Sequence, residues 1–255
     1  MEFLDNKKAS YSLRILLVLL PVFLIIYSQL FGFHPNNDTE GYVWSIEFFR
    51  GMDSPMFPNR YLNPLYPFVA GNLLFFLSPV VSLITLNIIF YIGMVLLTFD
   101  LVRRIFKSNF IGFITAIFAM VSYAIIRYGL TQVQDMGGYF WFILTIYAGW
   151  RWRESGLRSW LIIAGVATAF GILTKESGAM GALFVGMLLI FSPDNFRRKA
   201  LDLLIFSIWP FVTLIVNKIR SGDYDIDSAM WFTYNWRTYA PANYHLLQWF
   251  GVNLS

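Results

Sequence analysis

The chain alternates between apolar runs and short polar segments, a pattern typical of a protein with several membrane helices. Seven runs predict transmembrane helices, at residues 13–32, 82–102, 109–128, 137–150, 160–173, 178–191 and 201–217. An eighth run, residues 63–77, has Pro64 and Pro67 near its start and Pro79 just after it. A full crossing takes about 20 apolar residues, so this interrupted run is a poor candidate for a span.

Loop charge decides between the two topologies that the eighth run leaves open. Cytoplasmic loops of membrane proteins carry an excess of Lys and Arg. If residues 63–77 cross, 8 of the 19 cations lie inside and 11 outside. If they do not cross, 12 lie inside: Lys7, Lys8, Arg14, Arg103, Arg104, Lys107, Arg151, Arg153, Arg158, Arg197, Arg198 and Lys199. The second arrangement predicts an all-α polytopic membrane protein with seven transmembrane helices, a cytoplasmic N-terminus and a re-entrant helix at 63–77.

The polar segments of the predicted outer face suggest a cavity. Residues 38–51 mix apolar and charged positions as an amphipathic helix lying on the membrane interface does. The two runs that flank Thr174–Lys175–Glu176–Ser177 have about 14 residues each, or about 21 Å of helix, so their junction is expected to lie recessed below the surface. We expect one seven-helix domain over residues 1–217, followed by an extracytoplasmic, aromatic-rich tail at 218–255.

The composition agrees with a membrane protein and excludes several other classes of protein and of chemistry. Hydrophobic residues make up 57% of the chain and charged residues 13%, far from the balance of a soluble domain. The net charge of +4 comes from short clusters between apolar runs, so we predict no nucleic-acid partner. The sequence has no cysteine, which excludes disulfides, thiolate nucleophiles and cysteine-ligated metals.

Three motifs, in order along the chain, resemble those of GT-C class glycosyltransferases. They are "DTEGY" followed by "RYLNPLYPFVAG", then "VQDMGGYFWFILTIY", then "GILTKESGAM". The resemblance is to the protein O-mannosyltransferase and lipid A aminoarabinose transferase types, and covers nearly the whole chain. Many relatives have adjacent Asp and Glu where this chain has Thr39 between Asp38 and Glu40. Most are also longer, with further sequence that often helps to bind the acceptor.

The resemblance implies transfer of a sugar from a polyprenyl phosphate to a glycan, lipid or protein acceptor, with inversion at the anomeric carbon. Such a displacement needs one general base, and Asp38 is the candidate; a helix cap is the structural alternative for Asp38. The phosphate leaving group needs positive charge, for which Lys175 is the first candidate and Arg50, Arg60 and Arg127 are further ones. A lysine that snorkels to the surface and arginines that anchor the interface are the alternatives.

Other acids on the same face have both functional and structural interpretations. Asp135 is a candidate second acid that positions the acceptor, holds a metal or pairs with Arg127, or else it caps a helix. Glu40, Tyr42 and Glu176 are candidates for the acceptor or second acidic site, although Glu40 also fits a capping box.

The sequence leaves a divalent metal open as a cofactor. His34, Asp38 and Glu40 are of suitable ligand types, but ordinary loop polarity explains them as well. The run from Asp223 to Asp227 resembles a calcium loop only superficially, because the required glycine and glutamate are missing.

Two other functions fit the pattern less well. One is a non-catalytic subunit that keeps the helical module to bind polyprenyl phosphate or to scaffold a glycan-assembly complex with a partner subunit. The other is a lipid or sugar transporter, but transporters usually have internal repeats and ionisable groups near the midplane. We therefore predict a multi-pass enzyme of the plasma membrane, or of the endoplasmic reticulum in a eukaryote, with its active site on the extracytoplasmic face.

Overall fold

The computed structural model describes residues 7–30, 39–54, 63–122, 125–126 and 134–221, and this part of the chain is helical with no strand. Its α-helices are α1 (Lys7–Leu30), α2 (Thr39–Phe49), α3 (Leu65–Asn72), α4 (Pro79–Phe106), α5 (Asn109–Met120), α6 (Asp135–Ser155), α7 (Ser159–Thr174), α8 (Gly181–Ile190) and α9 (Phe196–Ser221), with a 3-10 helix at Glu176–Met180 between α7 and α8. The chain divides into two compact units, Met1–Leu214 and Ile215–Ser255. All contacts discussed below lie within the first unit, and the described part of the second is the end of α9.

Local residues explain where several helices begin and end. The side chain of Ser78 accepts a hydrogen bond from the Val81 amide, and Pro79 takes the first position of α4, where its missing N–H is not needed. Ser108 caps α5 in the same way. Gly156 ends α6 with a φ of 68°, a left-handed conformation that glycine adopts without a steric penalty.

Three helices are long and apolar enough to cross a membrane, namely Ser10–Ser28, Pro79–Phe106 and Phe196–Asn217 among the described residues. They identify a membrane protein. The predicted runs at 109–128, 160–173 and 178–191 correspond to shorter apolar helices, at Asn109–Met120, Ser159–Thr174 and Ser177–Ile190. The 21-residue α6 includes the predicted run 137–150. The count of seven crossings therefore stays a prediction.

The first predicted outer loop contains two short helices. The helix predicted at 38–51 is α2, Thr39–Phe49. The run at 63–77 forms only eight residues of helix, α3, followed by turns. At about 1.5 Å per residue α3 is about 12 Å long, which is too short to cross a bilayer. Its re-entrant placement stays a prediction.

Ion pairs show which helix ends lie together. They join the first half of α1 to the end of α4, the end of α4 to the end of α6, and the beginning of α7 to the beginning of α9. The nitrogen–oxygen distances are 2.5 Å for Arg14–Asp100, 3.4 Å for Arg104–Glu154 and 2.7 Å for Arg158–Asp202. We call this end of the first unit the charged end. The beginnings of α4 and α6 and the end of α7 lie at the other end of their helices, which we call the site end.

Helix α4 lies at the centre of the largest apolar cluster. Its Tyr91, Val95 and Phe99 are fully buried and pack with residues of α1, α5 and α6. The Tyr91 hydroxyl donates to the Met120 carbonyl at 2.8 Å, so its polar group is satisfied inside this apolar core. This packing holds α6, and with it the site end, in a fixed position.

Candidate functional site

An ion pair between Lys175 and Asp135 lies at the site end. The Lys175 ammonium is 3.3 Å from Asp135 Oδ1, and the two side chains are 33% and 20% exposed. Asp135 is the first residue of α6, and Lys175 follows the last residue of α7. Both charges are stabilised by the dipoles of these helices, since the N-terminal end favours an anion and the C-terminal end a cation. The structure thus brings together two candidates that are 40 positions apart.

Two glycines in the first turn of α6 let the end of α7 approach. A Cβ atom added to Gly138 would lie 3.0 Å from Lys175 Cβ, and one added to Gly137 would lie 2.8 Å from Thr174 Cγ2. Such separations are tighter than ordinary van der Waals contact. Because these two glycines have no side chains, the Thr174–Lys175 junction packs directly on the backbone of α6. This packing sets the distance between Lys175 and Asp135.

The junction itself folds tightly after α7. Lys175 has extended backbone angles, φ −161° and ψ 138°, and its carbonyl accepts a hydrogen bond of 2.8 Å from the Gly178 amide. A Cβ atom on Gly171 would lie 2.6 Å from the Gly178 carbonyl carbon, so the 3-10 helix packs directly on α7. Lys175 is consequently held by backbone contacts on both sides of it.

Tyr66 of α3 connects this pair to the amphipathic helix α2. It is fully buried, its ring faces Gly137, and its hydroxyl donates to Asn87 Oδ1. Burial raises the pKa of Tyr66 well above the ordinary 10.0, and the nearby Tyr42 and Asp135 raise it further. Tyr66 therefore stays protonated at neutral pH. The sequence interpretation missed it; the one available signal was a tyrosine inside a short, proline-bounded apolar segment.

Two buried acceptors next to the ion pair were also missed, because neither is charged. Gln134 and Thr174 are each 1% exposed, and they directly precede Asp135 and Lys175. Gln134 Oε1 and Thr174 Oγ1 have no hydrogen-bond partner within the described part of the chain. A buried polar atom without a partner is unfavourable by about 1–3 kcal/mol. Hydroxyl groups, such as those of a sugar, are the complement that both atoms could bind.

Aromatic side chains lie along the helices between the Lys175–Asp135 pair and the charged end. Ring centroids lie 5.0 Å apart for Phe90–Phe140, 4.9 Å for Phe140–Trp141 and 5.1 Å for Trp141–Phe170. Trp141 is six positions after Asp135, and Phe170 is five before Lys175, so the rings lie about 8–9 Å further along their helices. We call this set the aromatic wall. It offers an aromatic surface about 8–9 Å along the helices from the charged pair.

The candidates of the first outer loop divide between buried and exposed positions. Tyr42 is buried on the inner face of α2, whereas Glu40 in its first turn is exposed. Glu176 begins the 3-10 helix, but its side chain lies outside the described residues. Asp38, directly before Thr39 of α2, also lies outside them.

The structure describes one of the three arginines proposed as phosphate ligands. Arg60 and Arg127 lie outside the described residues. Arg50 donates from Nη2 to the Leu74 carbonyl and to Ser82 Oγ, both at 3.2 Å. It therefore connects the residues after α2 and α3 to the beginning of α4.

A metal site finds no support among the residues that the structure describes. No group of three or more His, Cys, Asp or Glu side chains in this part of the chain could hold an ion. His34 and the run Asp223–Asp227 lie outside it, as Asp38 does. A divalent metal therefore stays an untested prediction.

Comparison with known proteins gives one match. Residues 64–216 match the model of the family described as dolichyl-phosphate-mannose-protein mannosyltransferase. No curated protein and no solved structure matches the chain. The matched range contains Tyr66, Asp135 and Lys175 and begins after Asp38 and Tyr42. The predicted resemblance to GT-C glycosyltransferases is confirmed by this match.

Proposed function

The chain belongs to the dolichyl-phosphate-mannose-protein mannosyltransferase family, and we propose that it is an inverting transferase which moves a sugar from a polyprenyl phosphate to an acceptor hydroxyl or amine. Membership identifies it as a membrane glycosyltransferase of the GT-C type, with a lipid-linked donor and an acceptor in general. The sugar, the acceptor and the roles of individual residues are the content of the proposal.

The Lys175–Asp135 pair is the observation that carries it. Lys175 is the cation at the recessed junction, two-thirds buried and 3.3 Å from its carboxylate partner. A phosphate leaving group needs positive charge where its own charge develops, and such charge acts more strongly in a partly buried site than in water. We assign Lys175 to the donor phosphate. Asp135 orients its ammonium group and lies at the second acidic position.

We assign the general base to Asp38. In one displacement, the acceptor oxygen or nitrogen attacks the anomeric carbon, Asp38 takes the acceptor's proton, and the bond from that carbon to the phosphate oxygen breaks. The polyprenyl phosphate leaves with the electron pair. Support comes from α2, which begins one residue after Asp38 and whose Tyr42 acts electrostatically on the same Tyr66 as Asp135 does.

The sugar and the lipid of the donor also have partners near the Lys175–Asp135 pair. The unpartnered Gln134 Oε1 and Thr174 Oγ1 fit sugar hydroxyls. The aromatic wall fits the first isoprene units of the lipid, because their methyl groups and double bonds pack well on ring faces. Together these groups bind a ligand that is polar at one end and apolar at the other.

We place the site on the extracytoplasmic face. The charged end of the first unit has Arg14, Arg104 and Arg158 in its ion pairs, and the positive-inside bias favours a cytoplasmic location for it. The site end is then external, where a lipid-linked sugar is the available donor in place of a nucleotide sugar.

Transfer from polyprenyl-phosphate mannose tests the assignment of the base. The full chain in lipid nanodiscs is supplied with this donor and a membrane extract as acceptor, and release of polyprenyl phosphate is followed. We expect Asp38→Asn to lower turnover about 10²–10⁴-fold and to leave donor binding intact. Asp53→Asn, an exposed acid of the same loop, is the control. Normal turnover by a well-folded Asp38→Asn protein would remove Asp38 from its role.

The same assay tests the phosphate ligand. We expect Lys175→Gln to lower turnover on the order of 10²–10³-fold, as removal of one electrostatic stabiliser does. Lys199→Gln is the matched control, because Lys199 donates to the Ile190 carbonyl outside the site. Equal turnover by the two variants would contradict the assignment of Lys175.

A further inference from the structure

Four arginines at the charged end share two carboxylates. Arg14 and Arg103 lie 2.5 and 3.1 Å from the same oxygen of Asp100. Both guanidinium groups also lie over the ring of Phe99, at 5.6 and 5.7 Å from its centroid. One carboxylate therefore balances two guanidinium groups, and this half of the set retains a positive charge.

The second half is built in the same way around Glu154. Its Oε2 atom lies 3.4 Å from Arg104 Nη1 and 3.7 Å from Arg151 Nε. Its other oxygen accepts a hydrogen bond of 3.0 Å from the indole of Trp150. Arg103 and Arg104 are consecutive, so the two halves adjoin. The set, which we call the arginine cluster, has an excess of two positive charges among the side chains described.

The cluster also has hydrogen-bond donors that its carboxylates do not satisfy. The Nε atoms of Arg103, Arg104 and Arg151 are buried and have no hydrogen-bond partner among the described residues. An unpartnered buried donor on a charged group is unfavourable, but these Nε atoms are themselves closed to an anion. The side chains are nevertheless 24–30% exposed, so an anion can reach their outer nitrogens.

The surface beside the cluster is apolar. Ile105 and Phe106 at the end of α4, and Phe110 and Ile111 at the beginning of α5, are exposed. A free inorganic anion gains nothing from such neighbours. A phospholipid does, because its phosphate matches the guanidinium groups and its acyl chains match the apolar side chains.

We propose that the arginine cluster binds the phosphate of an anionic phospholipid, with acyl chains lying on the exposed apolar residues of α4 and α5. Phosphate oxygens accept hydrogen bonds from the guanidinium groups and neutralise the excess charge. Basic pockets between membrane helices near the cytoplasmic surface favour anionic over zwitterionic headgroups. This site is separate from the Lys175–Asp135 pair and does not depend on the proposed reaction.

Native mass spectrometry in detergent, with phosphatidylglycerol and phosphatidylcholine as probes, tests the proposal. We expect the wild type to retain phosphatidylglycerol and to bind phosphatidylcholine much more weakly. Arg103→Gln/Arg104→Gln should weaken phosphatidylglycerol binding on the order of tenfold or more. Asp100 keeps Arg14 and Glu154 keeps Arg151 in this variant, so no carboxylate loses all its partners. Arg153→Gln, an exposed arginine of α6, should bind the lipid as the wild type does.

A second variant keeps the test decisive if the double substitution impairs folding. Phe106→Gln removes an exposed side chain with the charges unchanged, and should weaken phosphatidylglycerol binding several-fold. Equal binding of the two lipids by the wild type would overturn the proposal, as would equal lipid binding by wild type and Phe106→Gln. Inorganic phosphate that binds as tightly as phosphatidylglycerol would overturn the assignment to a lipid.

Discussion

Thr168 and Thr174 lie on the same helix but differ in whether their hydroxyl groups have a hydrogen-bond partner. Both are buried on α7. The hydroxyl of Thr168 donates to the Ala164 carbonyl at 2.9 Å, which is a common way for a helical threonine to satisfy itself. The hydroxyl of Thr174 has no partner in the described part of the chain. This contrast is why Thr174 is a candidate for a ligand contact and Thr168 is not.

Replacing each threonine by valine separates the two roles. Valine keeps the shape and removes only the hydroxyl. If Thr174 bonds the donor sugar, Thr174→Val should raise the donor KM about 2- to 10-fold, the equivalent of one hydrogen bond, while the thermal stability of the ligand-free protein should rise, because an unpartnered buried hydroxyl is removed. Thr168→Val should leave the donor KM unchanged. Equal KM values for the two variants would exclude a sugar contact by Thr174.

Tyr66 gives a prediction about pH. Its pKa is raised above 10.0 in the folded protein by burial and by Tyr42 and Asp135, so above pH 10 the folded state retains a proton that the unfolded chain loses. Below pH 10 the ionisation of Tyr66 therefore does not lower the free energy of unfolding, and this free energy declines as pH rises further. Thermal unfolding from pH 8 to 11 should show a steeper decline for the wild type than for Tyr66→Phe. Parallel curves would mean that Tyr66 titrates normally.

At the scale of elements, the end of α7 packs closely against the first turn of α6. Gly138 has no room for a side chain, because a Cβ atom would lie 2.9 Å from Ser177 Oγ and 3.0 Å from Lys175 Cβ. Gly186 in α8 has nothing within 4 Å of the same added atom. In the sequence, Gly138 and Gly186 are both glycines within apolar runs. Only the packing shows that one has no room for a side chain and the other does.

Alanine substitutions measure this difference. Gly138→Ala should destabilise the protein by about 1–3 kcal/mol through overpacking and should lower turnover, because it displaces Lys175. Gly186→Ala should stabilise it by about 0.5–1 kcal/mol, since alanine favours a helix over glycine. Thermal unfolding in detergent and the transfer assay give both quantities. A Gly138→Ala protein as stable and active as the wild type would show that the junction adjusts freely.

At the scale of the whole molecule, the apolar helices differ in whether they are long enough to cross a membrane. The ion pairs place the end of α4 beside the end of α6, but only three described helices meet the length and hydropathy of a span. The shorter α5, α7 and α8 contain 12, 16 and 10 residues. Crossings by these helices require either longer segments or a thinner local bilayer.

Single cysteines can establish the topology, since the sequence has none of its own. Asp53→Cys lies exposed in the first loop after α2, and Ser155→Cys lies exposed at the end of α6. A membrane-impermeant thiol reagent added to intact cells should label the first, and should label the second only after permeabilisation. Labelling of both from outside would contradict the proposed arrangement.

The sequence by itself determined the helical class, most helix positions and the local charge pairs. Hydropathy and backbone hydrogen bonding act within a few residues, so the run at 82–102 predicted the centre of α4. Asp100 and Arg103 are three positions apart on one helix, a spacing that brings side chains together, and their charged groups lie 3.1 Å apart. Three short motifs in order along the chain also predicted the family that residues 64–216 match.

Only the tertiary structure decided which distant residues meet. The sequence did not predict the ion pair of Asp135 with Lys175, which the fold brings to 3.3 Å; the predicted pair of Asp135 with Arg127 stays a prediction, because Arg127 lies outside the described residues. The fold also assigns Arg50 to helix anchoring, buries Tyr66 beside Gly137 and leaves the acceptors of Gln134 and Thr174 without partners among the described residues. These outcomes depend on how helix faces pack, and packing is a property of many side chains at once that no local pattern encodes.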